Sequence, residues 1–325
     1  MTRTASKPPA DEPVTPEQAA RFAADLARLW PEGGRLGLAV SGGADSLGLL
    51  LLAQAAIPDR IAVATVNHGL RPEAAAECAM VAQVCAARGI ACAVLEVETG
   101  AGNLQAAARA ARYAALAEWA EREPLAALAT AHHADDQAET LLMRLNRASG
   151  LAGLAGVRPR GVVPGASLPL LRPLLRWRRV ELAGIVARAG LQPAQDPSNA
   201  DDAYDRVRIR KALGAADWLD SEAIAESAAH LADADEALAW MAELEMSENL
   251  TMTGHCIRYR PAAPRAVALR VVARIVGGFG GSARGGAVAR LVDALEAGSG
   301  GNLAGVAASV EEDGWTFRPE APRRS

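Results

Sequence analysis

The stretch that decides the fold is residues 36–46, which read Leu-Gly-Leu-Ala-Val-Ser-Gly-Gly-Ala-Asp-Ser. The apolar residues 36–40 are typical of a buried strand, and the mainly apolar run 47–56 that follows is compatible with a helix. We therefore predict a buried strand, a tight glycine turn and the N-terminus of a helix. Such a turn is an anion site, because free N–H groups and the helix dipole both attract negative charge there.

The polar residues of this loop indicate which anion it binds. Gly42 and Gly43 permit positive φ and close approach of a phosphate, and Ser41 and Ser46 add hydroxyl donors. Asp45 would repel a bare phosphate, so we predict a magnesium ion between this carboxylate and the phosphate oxygens. An ordinary strand–helix turn with polar caps is the alternative. A Walker P-loop is excluded, because its glycine–lysine signature is absent.

The composition is that of a globular protein of about two domains, with 325 residues of which 50% are hydrophobic. No stretch offers about 18 uncharged apolar residues, so no membrane span is expected. Residues 1–15 contain three prolines and no apolar signal core, which predicts a disordered tail and a cytoplasmic protein. Free buried thiols are expected, because the four cysteines show no zinc spacing: Cys78, Cys85, Cys92 and Cys256.

The charge distribution is more informative than the net charge of −4. Residues 141–180 carry eight arginines and no acid, and residues 249–292 carry seven arginines and no acid. Local basic stretches are typical of surfaces that bind phosphate backbones, although a solvated basic face is the alternative. The acidic total therefore does not exclude a nucleic-acid substrate.

Strands and helices alternate through the first half of the chain. Apolar runs predict strands at 35–40, 61–66, 91–97 and 125–131, and periodic stretches predict helices at 16–30, 45–56, 73–88, 103–122 (capped by Asn103) and 134–147. Near-continuous apolar strands between helices favour an α/β fold with a doubly wound, Rossmann-like parallel sheet. Ligands bind such sheets at the carboxyl ends of the strands.

Polar clusters lie at or just beyond those ends. Asn67 and His68 follow the second strand, where a loop histidine is also common for structural reasons. Arg109 and Arg112 share one helix face in an alanine-rich segment and suit an anionic substrate group or a developing charge, with surface solubility as the alternative.

The densest cluster follows the fourth strand: His132, His133, Asp135, Asp136 and Glu139. The two aspartates suit the positive end of a helix dipole, and the carboxylates lie close together on the helix. Such a cluster can bind a metal, an ammonium group or both. A transition-metal site is one alternative, but magnesium held by carboxylates and phosphates fits better, since no cysteine or third spaced histidine is present.

The glycine loop resembles the pyrophosphate loop of the N-type ATP pyrophosphatases. The loop is followed along the chain by further motifs: Asn67-His68-Gly69-Leu70-Arg71, Ala108-Arg109 with Arg112-Tyr113, Thr130 to Thr140, Ser149 to Leu154, Arg172-Pro173-Leu174-Leu175 and Asp196-Pro197-Ser198-Asn199. Taken together and in this order, the motifs over about residues 33–212 resemble those of the tRNA(Ile)-lysidine synthases. One position departs from the family pattern: Val207, between Arg206 and Arg210, replaces an asparagine.

The resemblance implies a ligase that uses ATP and Mg²⁺. The wobble cytidine of tRNA(Ile) with a CAU anticodon is adenylated at its carbon-2 oxygen, and free L-lysine then displaces AMP to give lysidine. The implied ATP contacts are Ser41, Gly42, Gly43, Ala44, Asp45, Ser46, Asn67, His68 and His133. The implied catalytic residues are Asp45, Arg112, Asp136, Glu139 and Arg206; the implied metal ligands are Asp45 and Asp135; and the implied lysine contacts are Arg109, Asp136 and Glu139.

The chain then divides into a catalytic domain (16–215), a connecting helix (216–248) and a mainly helical accessory domain (249–325), for which the arginine density suggests tRNA binding. The oligomeric state is left open, with a homodimer among the alternatives.

Two other functions compete: an ATP-dependent tRNA sulfurtransferase, which would need a reactive cysteine, and a non-catalytic nucleotide-binding module, which would tolerate loss of Asp45.

Overall fold

The computed structural model describes residues 12–69, 73–97, 104–194, 201–283 and 285–320. Several sequence predictions lie outside these ranges: the tail up to residue 11, the Asn103 cap, Leu70-Arg71 and the Asp196-Pro197-Ser198-Asn199 motif. Val14 is buried in the core and Thr15 caps the first helix, so these two residues belong to the fold and not to the predicted tail. The chain divides into two compact units, 1–148 with 154–229, and 149–153 with 230–325.

The first unit is built on a six-stranded sheet in the order β3-β2-β1-β4-β6-β5. Its strands are β1 (Leu36–Ala39), β2 (Ile61–Asn67), β3 (Cys92–Glu96), β4 (Ala127–Ala129), β5 (Arg160–Val162) and β6 (Pro169–Leu171). All neighbours pair in parallel except β5 and β6, which are antiparallel. The predicted doubly wound parallel sheet is therefore confirmed, with one antiparallel edge strand that the sequence did not indicate.

Helices cover both faces of this sheet. They are α1 (Pro16–Leu29), α2 (Ala44–Ala56), α3 (Glu73–Ala86), α4 (Leu104–Arg122), α5 (Ala134–Leu145), α7 (Arg179–Arg188) and α8 (Asp205–Ala215), with α6 (Leu151–Leu154) and α9 (Ser221–Asn249) each divided by the unit boundary. Adjacent residues of β2 face opposite ways: Val63 packs in the core formed with α1, α2 and α7, and Ala64 in the core formed with α4.

The second unit packs α10 (Arg265–Gly278) and α11 (Gly285–Glu296) with a five-stranded antiparallel sheet. Its strands are β7 (Leu250–Thr253), β8 (Cys256–Tyr259), β9 (Gly301–Leu303), β10 (Val306–Glu311) and β11 (Gly314–Pro319). The sequence predicts helices at 266–276 and 286–295 and a hairpin of strands 306–310 and 315–318, and α10, α11, β10 and β11 confirm these elements. The other three strands were not predicted, because runs of three or four residues carry too little periodicity. In the described ranges, no helix is both long and apolar enough to cross a membrane.

Candidate active site

The glycine loop joins β1 to the N-terminus of α2, as predicted. Gly42 has φ +84, and its carbonyl accepts a hydrogen bond from the Ala194 N–H at 3.0 Å. Gly43 caps α2 with φ −71, so of the two loop glycines Gly42 is the one that adopts a positive φ. A side chain at Gly43 would meet only the Ser41 hydroxyl, at 3.9 Å, which leaves room for a ligand to approach the backbone.

The two loop serines have different positions. Ser46 is buried; its hydroxyl accepts a hydrogen bond from the Ser41 N–H at 3.1 Å and donates one to the Gly43 carbonyl at 3.0 Å. Ser41 is exposed, and its hydroxyl lies 3.3 Å from that of Ser46. Ser46 therefore braces the loop, whereas Ser41 is placed to donate to a ligand.

Asp45 lies in the first turn of α2, beside His133 at the start of α5. Asp45 Oδ2 is 3.4 Å from His133 Nε2, while Asp45 Oδ1 is buried without a hydrogen-bond partner and lies 4.0 Å from Arg179 Nε. Burial alone would raise the pKa of Asp45, but the His133 contact and nearby positive charges outweigh it, so the pKa is lowered and the carboxylate is ionised. An ionised, buried oxygen without a partner is suited to a cation.

His133 caps α5 in a reciprocal arrangement with Asp136. The Asp136 N–H donates to His133 Nδ1 at 3.3 Å, and the His133 N–H donates to Asp136 Oδ2 at 3.1 Å. Burial opposes a charge on His133, but Asp45, Asp136 and Asp135 outweigh it and raise its pKa. His132 differs: burial lowers its pKa to about 4, so its ring, 3.0 Å from the Thr130 hydroxyl, is neutral at neutral pH.

The three acidic residues of α5 contact arginines at the start of α7 and in α8. Asp135 accepts hydrogen bonds from the Arg178 side chain and, at 2.7 Å, from the Arg179 N–H. Asp136 accepts from Arg206 Nη2 at 2.5 Å. Because the contacts of Asp135 are made by the N-terminus of α7, they favour a role in tying α5 to α7 over the predicted role as a metal ligand.

Glu139 is only 2% exposed and contacts two arginines of α8. Its oxygens accept from Arg206 Nε and from Arg210 Nε, each at 2.6 Å. Burial would raise the pKa of Glu139, but these hydrogen bonds and charges lower it. Arg210 was not among the site residues predicted from the sequence. Its position one helical turn after Arg206 is the feature that could have indicated that both arginines contact the same group. Val207 is buried on the same helix.

Arginines near Tyr113 form a second group. The Arg109 guanidinium lies 5.0 Å from the centre of the Tyr113 ring, and its Nη2 is 3.4 Å from the tyrosine hydroxyl. Arg172 Nη1 donates to the Arg158 carbonyl at 2.6 Å, but its buried Nε has no partner. Burial lowers the pKa of Arg172. Within the described ranges, Arg109, Arg112 and Arg172 form no ion pair with a carboxylate, so their positive charge is uncompensated.

These groups meet at one cavity of about 420 Å³. The predicted residues that line it are Ser41, Gly43, Asp45, Ser46, His68, Arg109, Arg112, Asp136 and Arg206. Ala39, Val40, Ala64, Val66 and Leu116 give the wall an apolar part. Its described lining does not include the other predicted residues: Gly42, Ala44, Asn67, His133, Asp135 and Glu139. The Asn67 side chain instead accepts a hydrogen bond from the Gly69 N–H at 3.1 Å, which closes the turn after β2.

The cysteines do not form a reactive or metal-binding group. Cys78 lines the cavity, but it is buried, accepts a hydrogen bond from Thr65 at 3.4 Å, and burial raises its pKa. Cys85 is also buried, and Cys92 and Cys256 are half-buried, so the prediction of buried thiols holds for two of the four. Throughout the described ranges, no group of three or more His, Cys, Asp and Glu side chains could hold a metal ion.

Comparison with known proteins agrees with this geometry. A family model described as a PP-loop domain, of the ATP-binding kind, matches residues 15–216. Among solved structures, the U34-tRNA thiolase NcsA from Methanococcus maripaludis, with its [4Fe-4S] cluster, shares the fold at a TM-score of 0.55 and 17% identity, over 66% of this chain and 77% of that one.

Curated relatives extend the match beyond the PP-loop domain. The tRNA(Ile)-lysidine synthase of Novosphingobium aromaticivorans is 49% identical over 94% of this chain and 95% of its own length. That of Zymomonas mobilis subsp. mobilis is 42% identical, over 90% of this chain and 91% of its own. The chain therefore belongs to the tRNA(Ile)-lysidine synthase family, a family of ligases built on the ATP-using PP-loop domain.

Proposed function

We propose that this chain ligates L-lysine to the wobble cytidine of tRNA(Ile) bearing a CAU anticodon, with ATP cleaved to AMP and pyrophosphate. The observation that supports this most is the convergence of three groups on one cavity: the glycine loop, Arg109 with Arg112, and Asp136 at the start of α5. A non-catalytic nucleotide module would not need the last two groups.

ATP is proposed to bind with its pyrophosphate against the loop. The open backbone at Gly43, the Ser41 hydroxyl and the N-terminus of α2 supply hydrogen-bond donors for phosphate oxygens. The apolar part of the cavity wall suits a nucleobase, and His68 completes the nucleotide pocket. Asn67 supports that pocket through the turn that it closes.

The donor set around Asp45 fits a magnesium ion, because Mg²⁺ is commonly held by one or two carboxylates together with substrate phosphates. The buried, unpartnered Oδ1 is the protein ligand that we assign. When bound there, Mg²⁺ would offset negative charge on the triphosphate.

The arginines are proposed to stabilise the charge that develops during adenylation. Arg112 lines the cavity and has no carboxylate partner in the described part of the chain, so its charge is available to the α-phosphate as the cytidine carbonyl oxygen attacks and pyrophosphate leaves. Arg206 also lines the cavity, and Asp136 and Glu139 hold its guanidinium. Glu139 is accordingly a positioning residue for Arg206 and Arg210.

Lysine is proposed to bind between opposite charges on the cavity wall. Arg109 suits its carboxylate and Asp136 its ε-ammonium group. The amine must lose a proton before it attacks carbon 2 of the adenylated base, and Asp136 is the carboxylate placed to receive it. The cytidine must be unpaired to enter such a cavity, as in an anticodon loop.

The accessory tRNA-binding domain and the cytoplasmic location predicted from the sequence are proposals as well, and so is the homodimer that the sequence left open. The described part of residues 249–325 offers one exposed arginine without an ion pair, Arg290, as a contact for the tRNA backbone. Sedimentation of the purified chain tests the homodimer, and a tagged copy in cell fractions tests the location.

The test of the reaction is pyrophosphate release from ATP, with and without an isoleucine tRNA transcript bearing the CAU anticodon, and with lysine present or withheld. We expect release to depend on the tRNA and labelled lysine to be incorporated into it. Release without tRNA, or turnover with a sulfur donor in place of lysine, would contradict the proposal.

A further inference from the structure

We infer that His133 is a positioning residue that orients Asp45 for the magnesium ion, and that it does not contact the nucleotide. This inference rests on the magnesium site proposed above. Its starting observation is burial: His133 is 2% exposed and is not among the described residues that line the cavity, whereas Asp45 and Asp136 on either side of it are. A ligand in that cavity meets the carboxylates and not the imidazole.

The backbone of α5 determines which ring nitrogen carries the proton. The Asp136 N–H donates to Nδ1 at 3.3 Å, and this bond requires a lone pair on Nδ1. The proton of the neutral ring is therefore on Nε2, which lies 3.4 Å from Asp45 Oδ2 and 3.5 Å from Asp136 Oδ2. Nε2 thus faces Asp45 at ion-pair distance, from a rigid element outside the glycine loop.

This contact makes the two oxygens of Asp45 unequal. Oδ2 lies 3.4 Å from the imidazole, whereas Oδ1 has no hydrogen-bond partner and lies 4.0 Å from Arg179 Nε. Leaving a buried carboxylate oxygen without a partner is costly, and the cost is offset when a cation binds. The His133 contact on Oδ2 prevents the carboxylate from rotating to satisfy Oδ1 elsewhere, so Oδ1 is kept for the cation. Groups that orient a metal ligand in this way typically change metal affinity by about 10–100-fold when removed.

The variant that separates the two roles of His133 is His133→Asn. Asparagine is among the best N-cap residues, so its side-chain oxygen can accept the Asp136 N–H and preserve the start of α5. It is too short to replace Nε2 beside Asp45. Thr15→Ala is the matched control, because Thr15 caps α1 in the same reciprocal way with Gln18 and does not line the cavity. This control loses a cap and nothing at the site.

The experiment measures binding of ATP to the full chain by calorimetry over a series of Mg²⁺ concentrations, without tRNA or lysine, together with Tm. For His133→Asn we expect the Mg²⁺ concentration at half-maximal ATP binding to rise about tenfold, with Tm close to that of the wild type. ATP affinity in excess chelator should be unchanged. Thr15→Ala should lower Tm and leave the Mg²⁺ midpoint where it was.

Two results would overturn the inference while leaving the magnesium site intact. One is an unchanged Mg²⁺ midpoint in His133→Asn; the other is an equal loss of ATP affinity with and without the metal, which would make His133 a nucleotide contact. If wild-type ATP binding does not depend on Mg²⁺ at all, the proposed magnesium site and this inference both fail.

Discussion

Arginines in the two units of this chain have different partners. Around the cavity of the first unit, Arg206 and Arg210 are held by Glu139, which is 2% exposed, and Arg112 has no carboxylate partner among the residues that the structure describes. In the second unit, the paired arginines mostly contact exposed acids; these pairs are Arg258 with Glu311, Arg260 with Asp313, Arg265 with Asp293 and Glu296, Arg274 with Glu243, and Arg318 with Glu311. Two of the acids are not exposed: Glu311 is half-buried, and Asp235, the partner of Arg270, is buried.

The difference shows that arginine density alone does not measure the charge available to a ligand. A surface ion pair contributes about 0–1 kcal/mol and neutralises both partners, whereas a buried carboxylate fixes a guanidinium in place. The described arginines that line the cavity, Arg109, Arg112 and Arg206, lie outside both arginine-rich stretches of the sequence, 141–180 and 249–292. Four predictions test this contrast.

The largest effect is expected for Glu139→Gln. It removes a buried charge that two arginines contact, so we expect a loss of about 3 kcal/mol in the free energy of unfolding and, through misplacement of Arg206, a fall of about 100-fold in tRNA-dependent pyrophosphate release. Urea unfolding and a pyrophosphate assay measure both. The matched variant Glu296→Gln, at the Arg265 pair, should change stability by less than about 1 kcal/mol. Equal losses in the two variants would remove the contrast.

Arg112→Ala should act on the reaction and not on the fold. Because Arg112 has no ion-pair partner among the described residues, its loss should leave Tm nearly unchanged while lowering pyrophosphate release by about 100-fold. Single-turnover kinetics at saturating ATP and tRNA measure the effect on the chemical step. A normal rate would show that the uncompensated charge at the cavity has no part in adenylation.

The stabilisation that Glu139 provides should depend on pH. Its pKa in the folded chain is below the ordinary value of 4.5, so its contribution is full above that value and is lost as the pH falls through the folded pKa. The difference in unfolding free energy between wild type and Glu139→Gln should therefore be constant near neutrality and shrink below about pH 4.5. A difference that grows on acidification has the wrong sign for an ionised Glu139.

The smallest effect is expected within the second unit, where Arg290 and Arg265 are both exposed. Arg290 forms no ion pair with a described residue, and Arg265 contacts two acids. Arg290→Ala should lower the slope of log tRNA affinity against log salt by about 1, and Arg265→Ala should leave it unchanged. An equal change in both would mean that ion-paired arginines also reach the tRNA.

Much of the catalytic unit could be predicted because its signals are local. The apolar run before Ser41, the glycines and the helix-compatible run after Asp45 specify a strand, a turn and a helix within about 20 residues, and the observed β1 and α2 agree with that prediction. Gly42 has the positive φ that a tight turn requires. The order of motifs along the chain was enough to identify the family that the comparisons show.

What the sequence by itself determined, then, is the element types, the loop and the set of polar side chains near the strand ends. Only the tertiary structure decided which of them pair: Glu139 and Arg210 are 71 residues apart, and Asp135 and Arg178 are 43 apart. Turn and periodicity signals act over a few residues, whereas an ion pair depends on how separate helices pack. For this reason the sequence predicted Glu139 and His133 as ligand contacts, whereas in the folded chain neither is among the described residues that line the cavity.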